Sequence, residues 1–341
     1  MSKLLVTGGA GYIGSHFVLE ALQSDKDVVV VDNLERGYRQ ALDRVEKISG
    51  RSLKFIQGDL RDKSFVLEML ELEKPSCILH FAGYKSVSEG QKEPQKYFEN
   101  NVESTRNILN GMKNAGTKRI VFSSTAATYG MGKILPINEN SIEAPISVYG
   151  VTKLTSEKLI NGFKSQYPEL EAVIFRYFNA VGAHESGLIG EDPANSTNLI
   201  PIAAKSILNK SQFQIFGNHF QTQDGYQERD YIHVCDLATA HLKAVNLDLS
   251  NNSNYDLINL STGVPTSCLE IIQILEKISN HELDYVISEP RDGDPERLFA
   301  SSEYAYKRLG WKAKYDVKKS IEDYWNWLYH NPNGYEAQNN N

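Results

Sequence analysis

"VTGGAGYIGSH", residues 6–16, decides the fold. It joins an apolar run, "KLLVT" (3–7), to a helical pattern starting near residue 13, through Gly8, Gly9, Gly11 and Gly14. The spacing satisfies G-x-G-x-x-G from Gly9 and G-x-x-G-x-x-G from Gly8. Glycines in such a turn let the backbone approach closely, so that a pyrophosphate can sit on the helix N-terminus. A lone match of this kind is common, and context gives it meaning. Here a strand precedes, a helix follows, and an acid, Asp32, ends the second apolar run 18 residues beyond Gly14. Such an acid accepts from ribose hydroxyls and repels a 2′-phosphate, which favours NAD over NADP. Arg36 and Arg39 close by are the argument for NADP. The candidate cofactor contacts from this stretch are Gly8, Gly11, Tyr12, Ile13, Gly14, Asp32 and Asn33.

Outward from the turn, short apolar runs alternate with helical patterns. "DVVVVD" (27–32), "LKFIQGD" (53–59), "CILHFAG" (77–83), "RIVFSS" (119–124) and "EAVIFRYF" (171–178) read as strands. They are apolar at nearly every position, as in a sheet covered on both faces. Helical stretches lie around 13–24, 62–73, 94–115 and 149–166. This alternation predicts an α/β fold, a Rossmann-like doubly wound parallel sheet. In that fold ligands meet the carboxyl ends of the strands. Asp59 and Leu60 after the third strand, and Phe81, Ala82 and Gly83 after the fourth, are therefore further candidate cofactor contacts. Past Asn179 the pattern shifts to a loop-rich stretch, "GAHESGLIGEDPANSTN" (182–198), and then shorter elements. Residues 1–178 are expected to bind the dinucleotide, and 179–341 to form a smaller C-terminal substrate-binding lobe. The segment 229–260 is a candidate to return to the first sheet.

Composition narrows the function classes. A net charge of −7 makes nucleic acid a poor partner. An anionic small molecule would need a local cluster of arginine, lysine and backbone N–H groups. No apolar run approaches the ~20 residues that span a bilayer. "MSKLLVTGG" breaks into glycines before a signal-peptide core could form, so a cytoplasmic protein is expected. Cys77, Cys235 and Cys268 are far apart, and no H-x-x-x-H or H-E-x-x-H occurs, so no metal is expected.

Tyr-x-x-x-Lys occurs three times, at Tyr129/Lys133, Tyr149/Lys153 and Tyr315/Lys319. Glycines at 130 and 132 argue against a helix joining the first pair, and Tyr315 lies past the sheet pattern. Tyr149 opens a helical segment, so its ring shares a face with the Lys153 ammonium. The fifth strand ends just upstream in Ser123, Ser124 and Thr125. Hydroxyl, tyrosine and lysine can thus converge at one sheet edge. A free tyrosine ionises near ~10, so a base competent at neutrality needs phenolate favoured by up to roughly 4 kcal/mol. A nearby ammonium and the positive nicotinamide ring both act in that direction.

The chain resembles the extended short-chain dehydrogenase/reductase family, and within it the UDP-glucose 4-epimerases. The likeness runs from "VTGGAGYIGSH" through "DNL", "GDLRD", "HFAGYKSV", "NNV", "FSSTAATYG", "YGVTK", "RYFNAVGAH" and "RDYIHVCDLA" to "LGW", nearly the whole chain. "RYFNAVGAH" and "RDYIHV" are far more specific than the glycine turn. The resemblance implies a catalytic base at Tyr149, support from Lys153, and a catalytic hydroxyl at Thr125, where 4-epimerases more often have Ser. It implies nicotinamide contacts at Tyr177 and Phe178. Lys85 and Asn100 match nucleotide and phosphate contacts on the cofactor side. Substrate contacts match Lys85, Thr125, Asn179, Asn198, Leu199, Phe216, Arg229, Arg291 and Asp294, and Leu298 would border the sugar's 2-substituent. Two arginines from distant segments make a sensible pyrophosphate clamp.

The implied reaction is redox-neutral and interconverts UDP-galactose and UDP-glucose. Tyr149 removes the 4-hydroxyl proton while C4 passes hydride to a retained NAD⁺. The 4-keto sugar then turns and takes hydride back on its other face. A 4,6-dehydratase would carry Asp-Glu after Thr125, and this chain has Ala126 and Ala127. A silent NAD-binding module need not keep Thr125, Tyr149 and Lys153 together. The family also implies a homodimer, paired through the helices near 94–115 and 149–166.

Overall fold

A computed structural model describes residues 3–132, 134–194, 196–250, 254–291 and 293–335. In chain order its strands begin with β1 (Lys3–Thr7), β2 (Asp27–Asp32), β3 (Lys54–Gln57), β4 (Cys77–His80), β5 (Arg119–Thr125) and β6 (Glu171–Tyr177). Then come β7 (Asn179–Val181), β8 (Phe213–Phe216), β9 (Glu228–His233), β10 (Tyr255–Leu260), β11 (Pro265–Ser267), β12 (Tyr285–Ser288) and β13 (Arg297–Leu298). Helices α1 (Tyr12–Gln23), α2 (Arg39–Ser49), α3 (Lys63–Glu73), α4 (Val87–Lys92), α5 (Pro94–Tyr97), α6 (Ser104–Ala115) and α7 (Val148–Phe163) fill the first half. The second half holds α8 (Leu199–Asn209), α9 (Val234–Ala244), α10 (Cys268–Ser279), α11 (Glu303–Leu309) and α12 (Val317–His330).

The large sheet has the order β10-β6-β5-β4-β1-β2-β3, and its neighbours from β3 to β6 run parallel. This is the expected α/β, doubly wound arrangement. Its strands are β-branched and buried, as in "DVVVVD", where Val28 to Val31 are at most 2% exposed. The order reverses between β1 and β4, so the loops after those two strands open a crevice at the carboxyl edge. Both loops extend the ladder by one bond: Gly8 N donates to Val31 O at 2.9 Å, and Phe81 N to Thr7 O at 3.0 Å. One face is sealed by Val66, Met69 and Leu70 of α3, Ile108, Leu109 and Met112 of α6, and Ile160 and Phe163 of α7.

The helices of the first half differ from the sequence expectation at three places, one of them the short α4, which it lacks. Helix α2 is missing from it, because "RQALDRVEKIS" carries few apolar residues; Ala41, Leu42 and Val45 still give it a buried stripe. The expected helix at 94–115 is three pieces, with a π-helical turn at Phe98–Glu103 between α5 and α6. Such turns cluster at functional sites.

The chain divides into two compact units. The first comprises residues 1–130, 143–177 and 238–258. The second comprises 131–142, 178–237 and 259–341. Residues 131–142, placed by the sequence reading in the first lobe, belong to the second. Ile137 bridges Ala300 there, its N–H donating to Phe299 O at 3.0 Å and its carbonyl accepting from Ser301 N at 2.8 Å. The returning segment is 238–258, shorter than the 229–260 considered, because β9 is the centre of the second unit's own sheet. There β9 pairs with β7 and β13 in parallel and with β11 antiparallel, while β8 and β12 form a separate parallel pair. Among the described residues no helix is long and apolar enough to cross a membrane, and no cluster of three metal-ligating side chains occurs.

Candidate active site

The glycine turn of the first unit is built by close contacts. A Cβ on Gly8, which has φ +69°, would lie 2.6 Å from Ala82 N. One on Gly14 would lie 2.2 Å from Gly8 O. Gly11 differs, because a Cβ there would meet only Gly8 O, at 3.3 Å, with open space beyond. Gly11 is also the N-cap of α1 and has no side chain to cap the N–H groups of Tyr12, Ile13 and Gly14. An uncapped helix start under a space that a Cβ would fill fits a dinucleotide pyrophosphate.

Asp32 ends β2 beside this turn. Its carboxylate accepts from Ala10 N at 3.1 Å and Leu34 N at 2.9 Å. Burial raises its pKa, and those two backbone bonds act against the rise. The cations that argued for NADP are engaged elsewhere: Arg36 pairs with Glu89 at 2.7 Å, and Arg39 with Asp43 at 2.9 Å. Asp59 accepts from Arg61 Nε at 2.9 Å and from Asn33 Nδ2 at 3.3 Å. Arg61 holds its carboxyl down, at about 2. Leu60 is buried beside it.

After β4, Phe81, Ala82 and Gly83 turn into Tyr84, whose N–H donates to Asn101 Oδ1 at 2.8 Å. Asn101 Nδ2 reaches Tyr84 O at 3.1 Å and Thr152 Oγ1 at 3.0 Å. Sequence reading named Asn100, which is half-buried, and missed Asn101, which is 2% exposed and fixes the turn to α7. The available signal was helical spacing, Asn101 leading the buried series Thr105, Ile108, Met112. Lys85 Nζ lies 6.0 Å from the Tyr12 ring centroid.

Thr125 is the last residue of β5 and stands opposite Tyr177 of β6. Ser147 caps α7 through Gly150 N at 3.1 Å and so fixes where Tyr149 starts. Of the three hydroxyls at this edge, Ser123 Oγ is bonded to His241 Nε2 at 2.9 Å and Ser124 Oγ donates to Glu157. Thr125 is the one that acts on the Tyr149 phenol, favouring its ionised form. Lys153 Nζ donates to Ser123 O at 2.8 Å and lies 4.6 Å from the Phe122 ring centroid.

The electrostatics depart from the expectation of a lowered tyrosine pKa. Burial pushes the Tyr149 phenol up to about 12, and the Thr125 hydroxyl only partly counters this. Burial also draws the Lys153 ammonium down to about 8, with Glu157 acting against it. In the chain alone desolvation outweighs the effect of the Thr125 hydroxyl. Tyr177 is likewise raised by burial and then by Tyr149, with the Ser123 hydroxyl acting the other way. The rival pairs do not match this site. Tyr129 is buried under the Arg176 guanidinium, and Lys133 lies outside the described residues. Tyr315 precedes α12 and stacks on His233 at 4.5 Å, while Lys319 pairs with Asp323 at 2.8 Å.

In the second unit Phe178 is buried and Asn179 opens β7. Asn198 precedes α8, which Leu199 begins, and its side chain donates to Glu191 Oε1 at 3.2 Å. Arg229 of β9 faces Leu298 of β13 in register and lies 4.0 Å from Asp294. The Arg291 guanidinium stacks on Phe216, 3.8 Å from the ring centroid. Two cations flanked by a planar ring suit a nucleoside diphosphate.

The NAD dependent epimerase/dehydratase family matches residues 4–259. A UDP-glucose 4-epimerase of Haemophilus influenzae is 41% identical over 335 residues, covering 97% of this chain and 99% of that protein. One from Bacillus subtilis is 41% identical over 336 residues, covering 98% and 99%. The crystal structure of the Bifidobacterium longum UDP-glucose 4-epimerase, in complex with NAD⁺ and UDP, superposes with a TM-score of 0.93. It is 39% identical and covers 98% of this chain and all of that one. That from Stenotrophomonas maltophila, with bound NAD and formylated UDP-arabinopyranose, also gives 0.93 at 38% identity, covering 97% and 98%. The chain belongs to the NAD dependent epimerase/dehydratase family, on its UDP-glucose 4-epimerase branch within the extended short-chain dehydrogenases/reductases.

Proposed function

We propose that the chain interconverts UDP-galactose and UDP-glucose at C4, with NAD as its cofactor. The supporting observation is Tyr149 and Lys153 on one face of α7, with the Thr125 hydroxyl at the end of β5 favouring the Tyr149 phenolate. Gly8, Gly11 and Gly14 would receive the cofactor's pyrophosphate, Tyr12 and Ile13 would donate from the helix start, and Asp32 would accept from the ribose. Asn33, Asp59, Leu60, Phe81, Ala82, Gly83, Lys85 and Asn100 would border its remainder, with Tyr177 and Phe178 at the nicotinamide. Bound NAD supplies the oxidant for a transient two-electron oxidation at C4 and the reductant that reverses it.

The chain's residues manage the proton. Tyr149 Oη takes it from the sugar 4-hydroxyl and returns it after the 4-keto sugar has turned over. Thr125 favours the phenolate by donating to it, and the Lys153 ammonium does so by charge. In the second unit Arg229 and Arg291 would hold the diphosphate, and Phe216, Asn179, Asn198, Leu199 and Asp294 the rest of UDP. We place the protein in the cytoplasm and in galactose metabolism, as a homodimer paired through 94–115 and 149–166. Light scattering on the purified protein checks the mass.

Two measurements test the reading. Denatured protein should release NAD(H); mainly NADP(H) would overturn the role of Asp32. For the sugar, Leu298 is half-buried, its Cδ1 standing 3.0 Å from where a Gly132 Cβ would be. A leucine here leaves an acetamido group little space and offers it no hydrogen bond. An unpaired buried amide costs roughly 1–3 kcal/mol, which is tens-fold in selectivity. UDP-galactose should therefore convert to UDP-glucose with a kcat/KM tens-fold above the N-acetyl pair, and Leu298→Ser should narrow the gap. Equal values in the parent protein would reject the assignment of Leu298.

A further inference from the structure

Tyr149 and Lys153 continue one more turn, to Glu157, at the same i, i+4, i+8 spacing along α7. This residue is outside the machinery described above, yet it is 2% exposed, which a carboxylate tolerates only when paired. Its Oε1 accepts from Ser124 Oγ and from Arg176 Nε, the latter at 3.0 Å, and its Oε2 accepts from Arg176 Nε at 3.2 Å and from Nη2. Ser124 and Arg176 are register partners on β5 and β6. They immediately precede Thr125 and Tyr177, which are also register partners. Arg176 is 0% exposed, lies over the Tyr129 ring at 4.7 Å, and ties Glu143 from the segment leading into α7. A single carboxylate thus connects the helix bearing the base to both strands that end in its neighbours.

We propose that Glu157 is a positioning residue for the epimerase reaction: it keeps the Lys153 ammonium protonated in a buried site and holds α7 in register with Thr125 and Tyr177. The proposal rests on the catalytic reading above. The groups facing Lys153 make Glu157 distinctive. Its own helix carries Tyr149 and Glu157 one turn to either side, β5 presents the Ser123 carbonyl and the Phe122 ring, His80 of β4 feels the lysine's charge, and Arg176 and Tyr177 stand on β6 in register with Ser124 and Thr125. His80 is held neutral by burial, its pKa drawn down to about 3, and the tyrosines are protonated at neutral pH. Glu157 is the negative charge acting on Lys153 among these groups. Burial draws Lys153 down to about 8, so its charge is close to being lost, and Glu157 acts in the opposite direction. Losing that carboxylate lowers the lysine further, so the ammonium is lost at lower pH.

The test is titration of Lys153 in the full-length protein by NMR of [ε-13C]lysine, its resonance assigned by absence in Lys153→Arg. A pH–activity profile with UDP-galactose runs beside it. Glu157→Gln should lower the Lys153 midpoint by about one unit or more, and the alkaline limb of activity should move with it. Glu143→Gln, which removes the other acid on Arg176, should leave the midpoint in place. Glu157→Asp keeps the charge but withdraws it by one methylene. It should give an intermediate midpoint, and it carries the test should the glutamine variant not fold. An unmoved midpoint in the Glu157 variants, or an equal shift in Glu143→Gln, overturns the proposal. A moved midpoint with an unmoved alkaline limb supports the charge-holding role and counts instead against Lys153 in the reaction.

Discussion

Tyr149→Phe should bind NAD and UDP-sugar normally and lose turnover by about 10²–10⁴-fold, the range for a positioned general acid–base group. The substitution deletes one oxygen and leaves the ring, so helix α7 and its Ser147 cap stay as they are. What disappears is the phenol whose ionised form the Thr125 hydroxyl favours. The size of the loss reflects the electrostatics. Desolvation holds the phenol at about 12, so the chain by itself keeps it protonated at pH 7. A shift toward neutrality is worth about 1.36 kcal/mol per unit, and it has to come from Thr125, Lys153 and the bound reactants. Thr125→Val should therefore show a smaller deficit in kcat, with little change in KM. Tyr315→Phe is the control: Tyr315 stacks on His233 in the second unit and should be silent in turnover. Near-normal epimerase activity in Tyr149→Phe, measured by conversion of UDP-galactose, would remove tyrosine from the mechanism.

What could be read in advance followed from which signals are local. The glycine turn, Asp32 and the strand runs are patterns within a few residues, and each maps onto β1, β2 and the crevice between β1 and β4. The choice among three Tyr-x-x-x-Lys pairs was also local: Tyr149 and Lys153 share a helix, whereas Tyr315 precedes α12. The hydroxyl register was not. Ser123, Ser124 and Thr125 look alike in sequence, and only the packing of His241 and Glu157 against the first two leaves Thr125 for Tyr149. The sign of the tyrosine shift was not legible either, since desolvation is a property of the assembled site. Asn101 and Glu157 escaped for a related reason. A buried polar side chain is recognised by its partners, and theirs lie on Tyr84, Thr152, Ser124 and Arg176, far off in the chain. The same holds for residues 131–142, whose place in the second unit depends on pairing with 299–301.

The glycines of the turn should separate folding from binding. Gly14→Ala puts a Cβ 2.2 Å from Gly8 O and 2.8 Å from Gly9 Cα, both of them backbone atoms that cannot rotate away. The loop must move, and overpacking of this kind costs about 1–3 kcal/mol or more. Both melting temperature and NAD affinity should fall. Gly11→Val is the more informative change. Gly11 has φ −84° and ψ 178°, an extended conformation that valine adopts without strain. Its Cβ would meet only Gly8 O, at 3.3 Å, so the fold should survive with a small loss of stability. The branched side chain would instead fill the space over the uncapped start of α1, where the pyrophosphate is proposed to sit. NAD affinity should fall by at least 10²-fold, about 2.7 kcal/mol, while the melting temperature of the NAD-free protein stays near that of the parent. Gly50→Ala calibrates the scale, because it has φ +66° with nothing within 4 Å, so it should cost about 1–2 kcal/mol of stability and leave NAD binding unchanged. Calorimetry on the three variants decides the matter. A Gly11→Val protein that binds NAD as tightly as the parent would show that the pyrophosphate does not rest on this helix start.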